Sequence, residues 1–204
     1  MQLPNPDGQF PKISSKAWIF DTALIIGNVT IEEGVFVGPN AVIRADEPGS
    51  SIVIQRECNV QDNVIIHSLS NSEVKIGNKT SLAHGCIVHG PCSIGENCFV
   101  GFGAVVFDCD LGENALVLHR ATVRGVEIFP HKMVPDGAVI TDQEAASLLE
   151  DITTDLAEFK KSVVRANLEL VKGYKDLQLE GETLPLSILK ESETEEFQSP
   201  ENPE

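Results

Sequence analysis

The chain has 204 residues, 42% of them hydrophobic and only 5% aromatic, with a mean hydropathy of −0.01. That composition supports one domain with a core, or a domain and an appendage, and excludes a disordered chain. Fifteen basic residues against 31 acidic ones leave a net charge of −16, which argues against nucleic acid or an anionic membrane as partner. No apolar run nears the ~18 residues of a membrane span. The stretch Met1 to Asp7 has neither a basic nor an apolar segment of the signal-peptide kind, so a cytoplasmic location is expected.

From Ile25 a period of six takes over. Aliphatic residues recur at Ile25, Ile31, Val37 and Ile43, at Ile54, Val60 and Ile66, and from Ile76 through Leu82, Val88, Ile94 and Val100 to Val106. After a one-residue slip the series resumes at Leu111 and reaches Ile140. Gly often follows the aliphatic residue, and a small or branched residue stands four places after it. Neither helical nor simple strand periodicity gives this pattern, which is the hexapeptide signature of a parallel β-helix. Three hexads make a coil of about 18 residues, and coils stack at about 4.8 Å. Likeness to hexapeptide-repeat proteins implies left-handed coiling. The expected architecture is an all-β solenoid over residues 12–140.

Cys58, Cys86, Cys92 and Cys98 fall on the small inward position; with Cys109 they number five and contain no C-x-x-C pair. They read as buried small hydrophobes rather than as disulfide or zinc-ribbon residues. Two insertions interrupt the period, around Asp46 to Ser51 and Ser68 to Ser72, and such loops often mark the working face of a repeat fold. Past Ile140, Thr141 to Glu144 reads as a capping box opening a short helix through Leu149. A longer helix is expected from Thr154 to Lys172, with Leu156, Phe159, Val163, Val164, Asn167, Leu170, Val171 and Tyr174 on one face, packed on the prism or a neighbouring subunit. The helical segment spans 141–177, and the acidic stretch 178–204 reads as a disordered tail.

Five histidines punctuate the chain. His67 follows Ile66 and His89 follows Val88, three hexads apart, so they stand one coil apart on the same face, about 4.8 Å apart at the backbone. Two imidazoles that close can share one ion. His84 lies in the preceding hexad on another face, from which it does not easily reach that ion in its own chain but could reach it from an adjacent chain, if three prisms pack around a threefold axis. Counting the first insertion as one hexad puts Arg44 in the same column and projects Asp46 and Glu47 close to the metal; the plainer reading of those two is a solvated turn. His119 and His131 lack such partners and read as surface residues.

The segments Ile43 to Glu47, Asn59 to His67, and Ser81 to Pro91 resemble the gamma-class carbonic anhydrases, most of all their archaeal archetype and carboxysomal domain. The resemblance covers about residues 12–176. It implies a homotrimer with interfacial metal (zinc, ferrous iron or cobalt) held by His67, His84 and His89, and reversible hydration of carbon dioxide to bicarbonate. Metal-bound hydroxide would be the nucleophile. It implies that Gln61 orients hydroxide or bicarbonate, that Arg44 and Asp62 bridge neighbouring subunits, and that Asn167 is the active-site Asn of the C-terminal helix. Three neutral imidazoles leave a metal positively charged with an open position, which suits that chemistry, and the proton made in each cycle needs a carboxylate, for which Glu47 is expected rather than Glu73.

The chain departs from the archetype in a shorter insertion, Ser68 to Lys75, with Glu73 its only carboxylate, and in Arg165 at an aromatic family position. Two other readings stay open: a slow or inactive metal- or bicarbonate-binding assembly protein of the same family, and a hexapeptide-repeat acyltransferase.

Overall fold

The computed structural model describes residues 1–180; from residue 181 on, the expected acidic tail lies outside the described residues. Every pairing between the named strands is parallel. Seven two-residue strands, from Trp18–Ile19 to Met133–Val134, stack as one face of a solenoid. The other two faces are joined by two longer strands, Ile87–Ile94 and Val105–Leu111, that turn a corner. In the first of these, residues 87–89 pair with Ile65–His67 and residues 92–94 with 74–76. A register shift between His89 and Cys92 against the next coil absorbs the one-residue slip of the sequence period.

The period of six survives as burial. Ile25, Ile43, Ile66, Val88, Val106 and Val123 are each 0% exposed and lie one above another, as do Ile54, Ile76 and Ile94 on the next face. Each such side chain contributes about 1.5–3 kcal/mol when removed from water. All five cysteines are free and buried. Burial pushes the Cys58 thiol up to about 12 and the Cys98 thiol to about 11, which leaves them protonated and inert.

The glycines after the aliphatic positions serve close approach rather than the bends. A Cβ on Gly77 would lie 2.5 Å from the carbonyl carbon of Gly95, and one on Gly112 would lie 2.5 Å from the nitrogen of Pro130. The left-handed backbone of the corners is carried largely by Asn63, Lys79, Asn97 and Asn114, with φ between 52° and 62°; Asn tolerates that region better than most side chains.

Helix α1 (Gln143–Ser147) is capped by Asp142, whose carboxylate accepts from the Ala145 amide at 2.9 Å. The cap therefore sits one residue later than the Thr141 capping box, and the helix ends short of Leu149. Helix α2 (Thr154–Glu180) runs past Lys172 and crosses the seven-strand face. Leu156 packs on the Ala83, Phe99 and Leu116 cluster, and Tyr174 stacks on Trp18 at 5.0 Å. Its inward stripe keeps Asn167 and Val171, which are buried as expected, but adds Lys160, whereas Phe159 and Leu170 are 45% exposed. Lys160 turns inward because Asn114 offers its ammonium two oxygen acceptors. Among the described residues no helix is long and apolar enough to cross a membrane.

Candidate functional site

Parallel register builds the first half of the site. Arg44, His67, His89, Phe107 and Arg124 occupy one column on successive coils. Nδ1 of His67 lies 3.1 Å from Nε2 of His89, with ring centroids 5.0 Å apart, and His89 rests edge-on against Phe107. The remaining nitrogen of His67, Nε2, is buried without a hydrogen-bond partner. Burial lowers the His67 pKa, helped by the neighbouring Arg44 charge and His89, which favours the neutral ring, with one nitrogen carrying hydrogen and the other free to act as a ligand.

The first insertion folds back toward this pair. Glu47 Oε1 lies 3.4 Å and Asp46 Oδ1 3.7 Å from His67 Nε2. Both the amide and the hydroxyl of Ser70, in the second insertion, donate to Glu47 Oε2 at 2.7 Å. The Ser70 hydroxyl, then its amide, hold the Glu47 carboxyl below the usual carboxylate range. Glu73 lies apart from this group, exposed, 3.4 Å from the Ser51 hydroxyl.

The second half sits at a corner. His84 follows the strand Ser81–Leu82, and its Nδ1 lies 3.0 Å from the Asp62 carboxylate one coil away. Phe102 lies against the His84 ring and stacks on His119 at 4.3 Å. Next to Asp62, Gln61 donates through its amide nitrogen to Asn59 Oδ1 at 3.1 Å and to Asn167 Oδ1 at 2.6 Å. Asn59 in turn donates to Ser81 Oγ, and Asn167 to the Val163 carbonyl. Arg44 is paired with Asp46 at 3.2 Å, so within one chain Arg44 and Asp62 each have a different partner.

Sequence reasoning missed Ser70, Asn59 and Ser81. The coil register could have found the last two, since Asn59 and Ser81 are partners on adjacent strands; nothing periodic marks Ser70. Among the described residues no three His, Cys, Asp or Glu side chains are placed to hold a metal ion together. One chain offers two of the three imidazoles. Two nitrogens bound at about 2.0–2.1 Å to one tetrahedral ion stand about 3.3 Å apart. The 3.1 Å His67–His89 pair fits that requirement, and the orphaned Nε2 of His67 would then carry the ring's N–H, on the side of Glu47.

Two family models match the solenoid: "bacterial transferase hexapeptide (six repeats)" over residues 73–108 and "hexapeptide repeat of succinyl-transferase" over residues 28–68. The carbonic anhydrase of Methanosarcina thermophila is 37% identical over 193 residues, covering 84% of this chain and 78% of that protein. The carboxysome assembly protein CcmM of a Nostoc species is 35% identical over 173 residues, covering 80% of this chain; the chain spans 31% of that relative's length. A hexapeptide transferase family protein from Anaplasma phagocytophilum superposes with a TM-score of 0.73 at 24% identity, covering 85% of this chain and 97% of that one, a likeness of fold alone.

Proposed function

The chain belongs to the gamma-class carbonic anhydrase family, and from that premise we propose that it hydrates carbon dioxide reversibly to bicarbonate, at metal sites shared between the subunits of a homotrimer. The observation that carries this reading is the His67–His89 pair, two ring nitrogens 3.1 Å apart beside an orphaned, buried third. His67 and His89 of one subunit, with His84 of the partner subunit, would hold the metal; zinc, ferrous iron and cobalt all suit three imidazoles. When bound, the metal supplies the Lewis acidity that makes water a nucleophile near neutral pH.

The chain's own residues supply the remainder. Asp62, bonded to Nδ1 of His84, fixes the tautomer and leaves Nε2 for the ion. Gln61 has its amide nitrogen occupied by Asn59 and Asn167, so its Oε1 is left to accept a hydrogen bond from water or bicarbonate. Asn167 positions Gln61 from the helix. Arg44 and Asp46 tie the first insertion to the column. Glu47, held by Ser70 and 3.4 Å from His67, accepts the outgoing proton and passes it to solvent.

Stopped-flow carbon dioxide hydration on anaerobically purified, metal-loaded protein tests the proposal: activity should follow metal content. Metal-loaded protein without turnover would support the second reading, an assembly protein that binds metal or bicarbonate. That reading is favoured by the carboxysome relative matching over 80% of the chain. The acyltransferase reading has only the shared solenoid behind it.

A further inference from the structure

The first half of α2 lies beside the corner column of Glu57, Lys79 and Asn97 and leaves a cavity of about 230 Å³ between them. Four basic side chains line it, Lys79, Lys160, Lys161 and Arg165, against one acidic one, Glu57. That is a local excess of cations in a chain whose net charge is −16. Glu57 is engaged by Lys79 at 3.6 Å, and Lys161 by Glu158 at 2.7 Å. Among the described residues neither Lys160 nor Arg165 has a carboxylate within ion-pair distance. Lys160 is only 4% exposed, and its ammonium meets neutral acceptors alone, the Asn114 side-chain oxygen at 3.2 Å and its carbonyl at 3.5 Å. Glu113 acts on it only from beyond ion-pair distance, and a buried cation with no contacting counter-ion is costly unless something negative completes its surroundings. Burial accordingly lowers the Lys160 pKa.

We propose that this cavity is a binding site for a small, multiply charged oxyanion of the phosphate class, held by the guanidinium of Arg165 and the ammonium groups of Lys160 and Lys161. A guanidinium fork matches the oxygens of such an anion, and the ammonium groups add point charges. Lys160 and Arg165, the two lining cations without a carboxylate at ion-pair distance, together favour a dianion over a singly charged carboxylate or bicarbonate. Val164 and Leu168 form the apolar part of the wall, which reduces competition from water.

Calorimetry with inorganic phosphate on the zinc-loaded full chain tests this. Saturable binding is expected, weakening as salt is raised. Arg165→Ala should weaken it roughly 10–100-fold, the loss of a charge-assisted hydrogen bond, and Lys160→Met should weaken it in the same direction. The same binding should persist in His84→Ala, which excludes phosphate on the proposed metal. No saturable binding, or binding unaffected by Arg165→Ala and lost in His84→Ala, would overturn the proposal. Thermal unfolding of each variant confirms that it remains folded.

Discussion

The His67–His89 column and the Gln61–Asn167 contact serve one proposed reaction but are assembled by different physics. The first joins residues on adjacent coils, and its register follows from the same inward Ile and Val residues that make the core. The second joins residues 106 positions apart through a helix laid across the solenoid, and a 2.6 Å hydrogen bond is the visible link. A periodic scaffold fixes a site as firmly as it fixes itself. A docked helix fixes it only as firmly as its own packing, through contacts such as Tyr174 on Trp18.

That contrast can be broken most severely at the column. His67→Ala or His89→Ala should abolish stoichiometric metal binding, a loss larger than the roughly 10–100-fold that removing an outer-shell partner costs. Elemental analysis reads it directly. Mixing His84→Ala with His67→Ala subunits should restore some metal if sites are shared between chains, whereas metal no higher than in either variant alone would count against sharing.

Next in size is Glu47→Ala. It should lower kcat by about 10²–10⁴-fold when proton export limits turnover, with kcat/KM less affected, and added imidazole should recover part of the loss. Ser70→Ala should have a smaller effect of the same kind, because it loosens the carboxylate without removing it; Glu73→Ala should leave kcat near wild type.

At the corner, Asp62→Ala should weaken metal affinity about 10–100-fold, measured by chelator competition. On the helix side, Asn167→Ala should cost about 1 kcal/mol, the worth of a typical hydrogen bond. Hydrogen exchange should then show α2 opening well before the solenoid.

The smallest effect is on pH. The His67 pKa is lowered in the fold, first by burial, while the unfolded ring titrates near 6.5. The unfolded state therefore binds the proton more readily. This contribution to the stability of metal-free protein is full above about pH 6.5 and is lost as pH falls toward the depressed folded value. His67→Gln should flatten that part of the stability curve, and denaturant midpoints at a series of pH values would show it.

The same division explains what could be read from the chain alone. The column was legible because a period of six leaves no freedom in which residue stacks on which; counting hexads put Arg44, His67 and His89 together, and the pairing agrees. The face of α2 was less legible. Apolar spacing selected Phe159 and Leu170, yet Lys160 is the residue turned inward, because hydrogen bonds to the polar coil face and the turn column outweigh hydrophobicity there. The Ser70–Glu47 contact was invisible because two loops meet by tertiary folding, and no spacing rule connects residues 23 apart across an interrupted repeat.

Coil length has a further consequence. Arg44 to His67 spans 23 residues and His67 to His89 spans 22, whereas His89 to Phe107 spans 18 and Phe107 to Arg124 spans 17. The two long circuits carry the insertions that hold Asp46, Glu47 and Ser70, yet the column climbs past them without losing step. The imidazoles are set by the repeat, whereas the carboxylates and the serine around them are written in the insertions. Lengthening or trimming either loop alters what surrounds the imidazoles while the inward residues keep their beat. A deletion inside a hexad must instead be absorbed by a corner shift of the kind seen between His89 and Cys92, or it turns the side chains that follow to the wrong side of the wall. The fold is therefore a chassis on which reactivity can be revised by insertion and deletion, the kind of change that most compact enzymes tolerate least near their active residues.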